Sequence, residues 1–225
     1  MKLSGEFIQE LYELGVIVID PYLPELVSVN SVDVRLGDTL FRLRDNDRVR
    51  DPYSRDDIDA EWEKQPLVPI TCTNIVDSVP VYDTKGFLLT PGRFYIATTL
   101  ERIGSKYIDW QHECQGENRD HFRYLAERFG DFQVIPNMAA KSTTGRHGLT
   151  VARCAGSGDV GYHSQWALEM TVERGGQLPL AVGTVIGQVL FDMCTHTSRK
   201  YDGVARYQHD GNLTSFLPKP FQIIP

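Results

Sequence analysis

The feature that most limits what this chain can fold into is a succession of short apolar segments, rich in Val, Ile, Thr and aromatic residues and bounded by Gly and Pro. They run Val16–Ile19, Phe87–Leu89, Phe94–Leu100, Leu149–Ala152, Trp166–Val172 and Val185–Phe191. β-Branched and aromatic side chains suit a pleated, half-buried surface, and Gly and Pro supply the turns. The spacing therefore predicts a mostly-β sandwich or barrel. One short helix precedes the strands: Ser4 can cap it, Phe7, Ile8, Leu11 and Leu14 recur at helical spacing, and Gly15 supplies a left-handed stop.

Two stretches interrupt the strand pattern. Asp45–Gln65 is dense in Asp and Arg, holds little that could form a core, and reads as an exposed excursion. Gly104–Asp131 contains Phe122, Leu125, Ala126 and Phe129, an i, i+3, i+4, i+7 set that predicts a short amphipathic helix inside an insertion. No repeat, low-complexity tract or linker divides the chain, so residues 1–225 are expected to form one domain.

A chain of 225 residues can build a core without disulfides or a metal. Its net charge of −7 argues against binding long nucleic acid, which needs a basic face. A small phosphate ester asks only for a few local cations and backbone N–H groups, often with Mg²⁺. Cys72, Cys114, Cys154 and Cys194 lie far apart, so they read as reduced, buried thiols rather than a disulfide framework or zinc knuckle. No apolar run reaches the length of a signal peptide or membrane span, and the expectation is a cytoplasmic protein away from membranes.

Zinc-type nucleobase deaminases carry His-x-Glu followed by Pro-Cys-x-x-Cys, and neither element occurs here. A P-loop is absent too. The densest polar cluster is Lys141-Ser142-Thr143-Thr144-Gly145-Arg146-His147-Gly148-Leu149, in which cations flank hydroxyls and glycines. Such a run can wrap a phosphate with charge-assisted and backbone hydrogen bonds, or can be a polar turn before a strand. Gly156-Ser157-Gly158-Asp159-Val160-Gly161-Tyr162 places one acid in a glycine-rich turn, a common arrangement in itself. On the strand that follows, Trp166, Leu168 and Met170 alternate with Ala167, Glu169 and Thr171, so Glu169 faces either solvent or a pocket.

In their order along the chain these motifs resemble the dCTP deaminases of the dCTP deaminase and dUTPase superfamily. Ser31-Val32-Asp33-Val34-Arg35-Leu36-Gly37 resembles the early Ser-x-Asp-x-Arg-Leu-Gly signature. Leu89-Thr90-Pro91-Gly92 with Ala97-Thr98-Thr99-Leu100-Glu101 is similar to the Pro-Gly turn and Thr-Leu-Glu strand end. Lys141–Leu149 resembles the phosphate motif, Asp159–Tyr162 the sugar-and-base turn, and Ala167-Leu168-Glu169 the catalytic strand. Pro179-Leu180 and Gly183-x-x-Ile186-Gly187-Gln188 complete the series.

The resemblance implies a distorted β-barrel or double-sheet fold of the dUTPase-like kind, with the N-terminal helix and helical insertion added. It also implies a homotrimer with sites where neighbouring subunits meet, and deamination without zinc, Mg²⁺ riding on the substrate phosphates. Glu169 would be the general base and acid, Ser142 and the carbonyl of Ala155 would orient the water, and Arg146 would sit beside the attack site. Asp159 would accept the sugar 3′-hydroxyl, with Tyr162 in the same turn. Lys141, Thr143, Gln188, Tyr201 and Arg206 would be phosphate-side contacts. The deaminases generally show Arg where this chain has Lys141, Ser where it has Thr143, Arg where it has Ser157, and Lys-Tyr-Gln-Gly-Gln near Arg206-Tyr207-Gln208-His209-Asp210.

The leading expectation is hydrolytic deamination of a deoxycytidine nucleotide, dCTP giving dUTP and ammonia. The alternatives are a dUTPase or a bifunctional enzyme releasing dUMP and pyrophosphate through Asp159, and a non-catalytic nucleotide-binding regulator.

Overall fold

The computed structural model describes residues 1–47, 49–73, 80–153, 156–173, 175–201 and 217–221, with the backbone alone at 71–73 and 80–83. Helix α1 (Gly5–Glu13) leads through β1 (Ile17–Asp20) to β2 (Val32–Leu43), α2 (Arg55–Glu61), β3 (Trp62–Lys64), β4 (Val68–Thr73), β5 (Pro80–Leu89) and β6 (Phe94–Ser105). The insertion forms α3 (Trp110–Glu113) and α4 (Arg119–Phe129). The chain then continues through β7 (Phe132–Ala140), α5 (Ser142–Arg146), β8 (Leu149–Thr150), β9 (His163–Val172), β10 (Leu178–Ala181) and β11 (Val185–Thr195).

The fold is mostly β. An eight-stranded sheet runs β7-β11-β2-β6-β9-β8, with β1 paired to β6 and β3 to β2; a second sheet runs β10-β5-β4. One apolar core joins them, because Leu36, Leu40 and Leu168 of the large sheet pack in the same cluster as Phe87, Leu89 and Leu180 of the small one. This is the double-sheet arrangement that the resemblance implied.

The N-terminal helix forms as the sequence predicts. Ser4 Oγ accepts the Phe7 N–H, Ile8 and Leu11 are fully buried, and Gly15 takes a φ of 72°. The insertion helix also forms, with Phe122 and Leu125 buried beneath α4. Trp110 ties the insertion to the sheet by donating to Phe132 O at 2.7 Å, and the buried Gln133 side chain bonds both backbone groups of Ile108.

Several expectations are corrected. Residues 45–65 are not wholly an exposed excursion: Ile58 and Trp62 are buried and form a second small core with Phe41, Ile96 and Leu217 on the outer face of the large sheet. Leu149–Ala152 pairs only at Leu149–Thr150, and Ala152 turns out of the sheet with φ 57°. Cys114 and Cys194 are free but half-buried rather than buried, and the side chains of Cys72 and Cys154 lie outside the described residues. Strand β7 carries Pro136 within it, which is tolerated because β7 ends the sheet order and a missing N–H interrupts no inner ladder there. Among the described residues no helix is long and apolar enough to cross a membrane.

Strand β9 shows strict alternation. Trp166, Leu168, Met170 and Val172 are buried in the main core, while Gln165, Ala167, Glu169 and Thr171 are half-exposed on the other face. Leu168→Ala, at a fully buried position, is expected to lower the unfolding free energy by about 2–5 kcal/mol. A denaturation midpoint unchanged from the natural protein would contradict that packing.

Candidate active site

Glu169 is placed by its strand pairing. It lies opposite Ile96 of β6, with Leu168 opposite Ala97 and Ala167 opposite Thr98. On this outer face it opens into a cavity of about 360 Å³ that is also lined by Asp159, Tyr162, Ala167, Tyr201 and Pro218. The carboxylate is half-buried. It therefore faces a pocket, one of the two settings that alternation allows.

The glycine-rich turn reaches this cavity by adding to the outer edge of β7. Met138 N–H donates to Gly156 O at 2.5 Å, Gly158 N–H donates to Pro136 O at 2.8 Å, and Ser157 Oγ bonds Asn137 Oδ1 at 3.0 Å. A Cβ at Gly158 would stand 2.8 Å from the Pro136 ring and 3.1 Å from Trp166, so glycine is what allows the close approach. Tyr162 N–H returns to Asp159 O at 3.0 Å and closes the turn. The Tyr162 ring stands edge-on to Trp166 at 4.9 Å and to Tyr201 at 5.5 Å, while Tyr201 N–H donates to Val160 O. Burial, with Tyr201 beside it, pushes the Tyr162 phenol above the ordinary tyrosine range, so its hydroxyl stays protonated and donates to Gln165 O.

The hydroxyl-and-cation loop lies elsewhere. Strand β7 ends at Ala140 and the single turn of α5 follows, with Thr144 Oγ1 donating to Lys141 O at 2.6 Å. Ser142, Thr143 and Arg146 are exposed. Lys141 Nζ contacts Asp33 Oδ2 at 2.5 Å. Asp33 stands opposite Gln188 on β11, and Gln188 Oε1 accepts from Ser31 Oγ at 3.0 Å. None of Lys141, Ser142, Thr143, Arg146 or Gln188 lines the Glu169 cavity. One chain thus divides the expected residues into a carboxylate half and a cation-and-hydroxyl half. Ala155 and Arg206 lie outside the described residues.

Two features escaped sequence reasoning. Ile96 and Pro218 wall the cavity with carbon, and nothing in their local sequence marks them for it. Arg35 and Glu101, both inside recognised motifs, turn out to be partners: Glu101 is fully buried and accepts from Arg35 N–H at 2.7 Å and Arg35 Nε at 2.5 Å. Among the described residues no three His, Cys, Asp or Glu side chains converge as metal ligands.

The family model described as dCTP deaminase-like matches residues 2–107 and 126–194. This chain belongs to the dCTP deaminase-like family. The unmatched interval, 108–125, falls on α3 and the first part of α4, which makes that insertion the chain's addition to the family pattern. A relative from Methanospirillum hungatei is 27% identical over 86% of this chain and 84% of its own length. One from Corynebacterium jeikeium is 30% identical over 89% and 86%. Both bear the name dCTP deaminase, dUMP-forming. A solved structure of 2′-deoxycytidine 5′-triphosphate deaminase from Agrobacterium tumefaciens superposes with a TM-score of 0.53 at 17% identity. That match takes in 87% of this chain but only 48% of the other, and it speaks to the fold.

The buried Arg35–Glu101 pair yields a stability test. Arg35→Met leaves a fully buried carboxylate without its cation and is expected to cost about 3–5 kcal/mol, part of it recovered when Glu101→Gln is added, whose neutral amide oxygen still accepts the Arg35 N–H. Equal instability of the single and double variants in thermal unfolding would show that the two side chains do not act as a pair.

Proposed function

We propose that this protein hydrolyses dCTP to ammonia, pyrophosphate and dUMP, consuming two waters. The observation that carries the reading is the meeting of Glu169 and Asp159, ten positions apart in sequence, at one cavity. Deamination needs one carboxylate to move protons, and cleavage of the α,β-phosphoanhydride needs another to activate water. The names of the relatives, matched over most of their length, favour the dUMP-forming alternative over the leading expectation of dUTP as product.

In this proposal Glu169 takes a proton from the water that attacks C4 of cytosine and passes it to ring N3. A second proton transfer lets ammonia leave as the C4 carbonyl forms. Ser142, the Ala155 carbonyl and Arg146 orient the water and stabilise the developing charge. Asp159 holds the sugar and then activates water against the α-phosphate.

Assembly completes the site. The separation of Ser142, Thr143 and Arg146 from the Glu169 cavity within one chain supports a homotrimer in which one subunit brings that loop to its neighbour's cavity. Thr143, Gln188, Tyr201 and Arg206 face the phosphates. Mg²⁺ would be held by the phosphate oxygens, where it neutralises charge.

Glu169→Gln is expected to lower ammonia release from dCTP by at least about a thousandfold while nucleotide affinity changes little. Retained turnover would remove Glu169 from its role. Asp159→Asn is expected to stop pyrophosphate release from both dCTP and dUTP. Ammonia without pyrophosphate from the unaltered protein would restore the simple deaminase, and nucleotide binding without either product would favour a regulator.

A further inference from the structure

Lys141 occupies the place at which a phosphate-side cation is expected, yet its ammonium is already engaged. Nζ stands 2.5 Å from Asp33 Oδ2, with the Lys141 side chain 29% and the Asp33 side chain 19% exposed. The other carboxylate oxygen, Asp33 Oδ1, is buried and has no hydrogen-bond partner among the described residues. Lys141 is therefore the Asp33 carboxylate's one compensating contact there.

The backbone explains the geometry. Asp33 on β2 pairs with Gln188 on β11, and Gln188 pairs on its other side with Ala139 on β7. The Asp33 side chain thus reaches across the middle strand to the residue just past the end of β7. That residue also carries the carbonyl that Thr144 Oγ1 bonds, so the ion pair holds the root of the Ser142–Arg146 turn.

From this geometry we infer that Asp33 is a positioning residue which braces the Ser142–Arg146 loop through Lys141, and that the Lys141 ammonium is not a phosphate ligand. The inference rests on the deaminase reading for what the loop does, but not for the brace itself. Magnitudes decide against a moonlighting Lys141. Drawing it to a phosphate would strand a largely buried carboxylate, a loss of about a hundredfold in binding, whereas one charge-assisted hydrogen bond returns about ten- to a hundredfold. The exchange gains nothing. The triphosphate is left to Thr143, Gln188 and the other phosphate-side residues of the proposed function.

The test combines unfolding with nucleotide binding. In thermal unfolding without nucleotide, Asp33→Asn and Lys141→Met should each lower the midpoint, and the double variant should recover most of the loss. In calorimetry, with Glu169→Gln added to every variant so that the cytosine is not consumed, the preference for the α,β-imido analogue of dCTP over dCMP should change by less than about threefold in the double variant, but fall about tenfold or more in Thr143→Ala. Asp33→Asn alone should lower kcat for ammonia release by about tenfold with KM shifted less than about threefold, because a misplaced loop costs chemistry more than binding. Strictly additive midpoints would overturn the brace, and a tenfold loss of triphosphate preference in the double variant would return Lys141 to the phosphates. If the unaltered protein binds no nucleotide, the deaminase reading fails, while the unfolding cycle still decides for or against the brace.

Discussion

Successive side chains on a strand point to opposite faces, and this two-residue period is the constraint on which the site depends. Burying Trp166, Leu168 and Met170 in the main core leaves Glu169 no choice but the outer face of β9. A slip of one residue would bury the carboxylate and expose the core. Pairing of β9 with β6 across Ile96, Ala97 and Thr98 makes that slip costly, so the apolar residues that stabilise the fold also aim the acid. Stability and function are one specification here.

The outer face might have been open water. Instead the charged stretch between β2 and β4 folds back as α2 and β3 and lays Ile58 and Trp62 over the sheet, joined by Leu217. Pro218, next along, reaches the rim of the Glu169 cavity. A carboxylate on a bare strand would be fully hydrated; Glu169 instead sits half-buried beside a carbon wall. Around the sheet, two ion pairs of different burial do different work. Arg35–Glu101 is locked inside and registers β2 against β6, whereas Asp33–Lys141 spans β2 to β7 and holds the root of the loop.

Much of this was legible in the sequence because local rules dominate there. The cap at Ser4, the helical spacing in the insertion and the alternation on β9 are all set by residues within a few positions of one another, and each forms as expected. Strands β2 and β7 were harder to read. β2 gains its length from pairing with β3, β6 and β11, partners distant in sequence, and Pro136 disguises β7 until its edge position is known. Likewise, Ile58 and Trp62 gave no helical or strand period strong enough to overrule the surrounding Asp and Arg, since their core partners Phe41, Ile96 and Leu217 lie elsewhere in the chain. The motif residues Asp33, Arg35 and Glu101 could be recognised but not paired, because pairing is a property of sheet register. Sequence order also could not show that Glu169 and Ser142 sit in different places within one chain.

The most direct measurement is a crystal structure of the assembled protein with a non-hydrolysable dCTP analogue. The expected result places a Glu169 carboxylate oxygen about 2.6–3.2 Å from a water poised over C4 of the cytosine, with Ser142 and Arg146 of an adjoining copy at the same water. A nucleotide seated with its base away from Glu169, or a Glu169 side chain that meets no loop from any copy, would contradict the account.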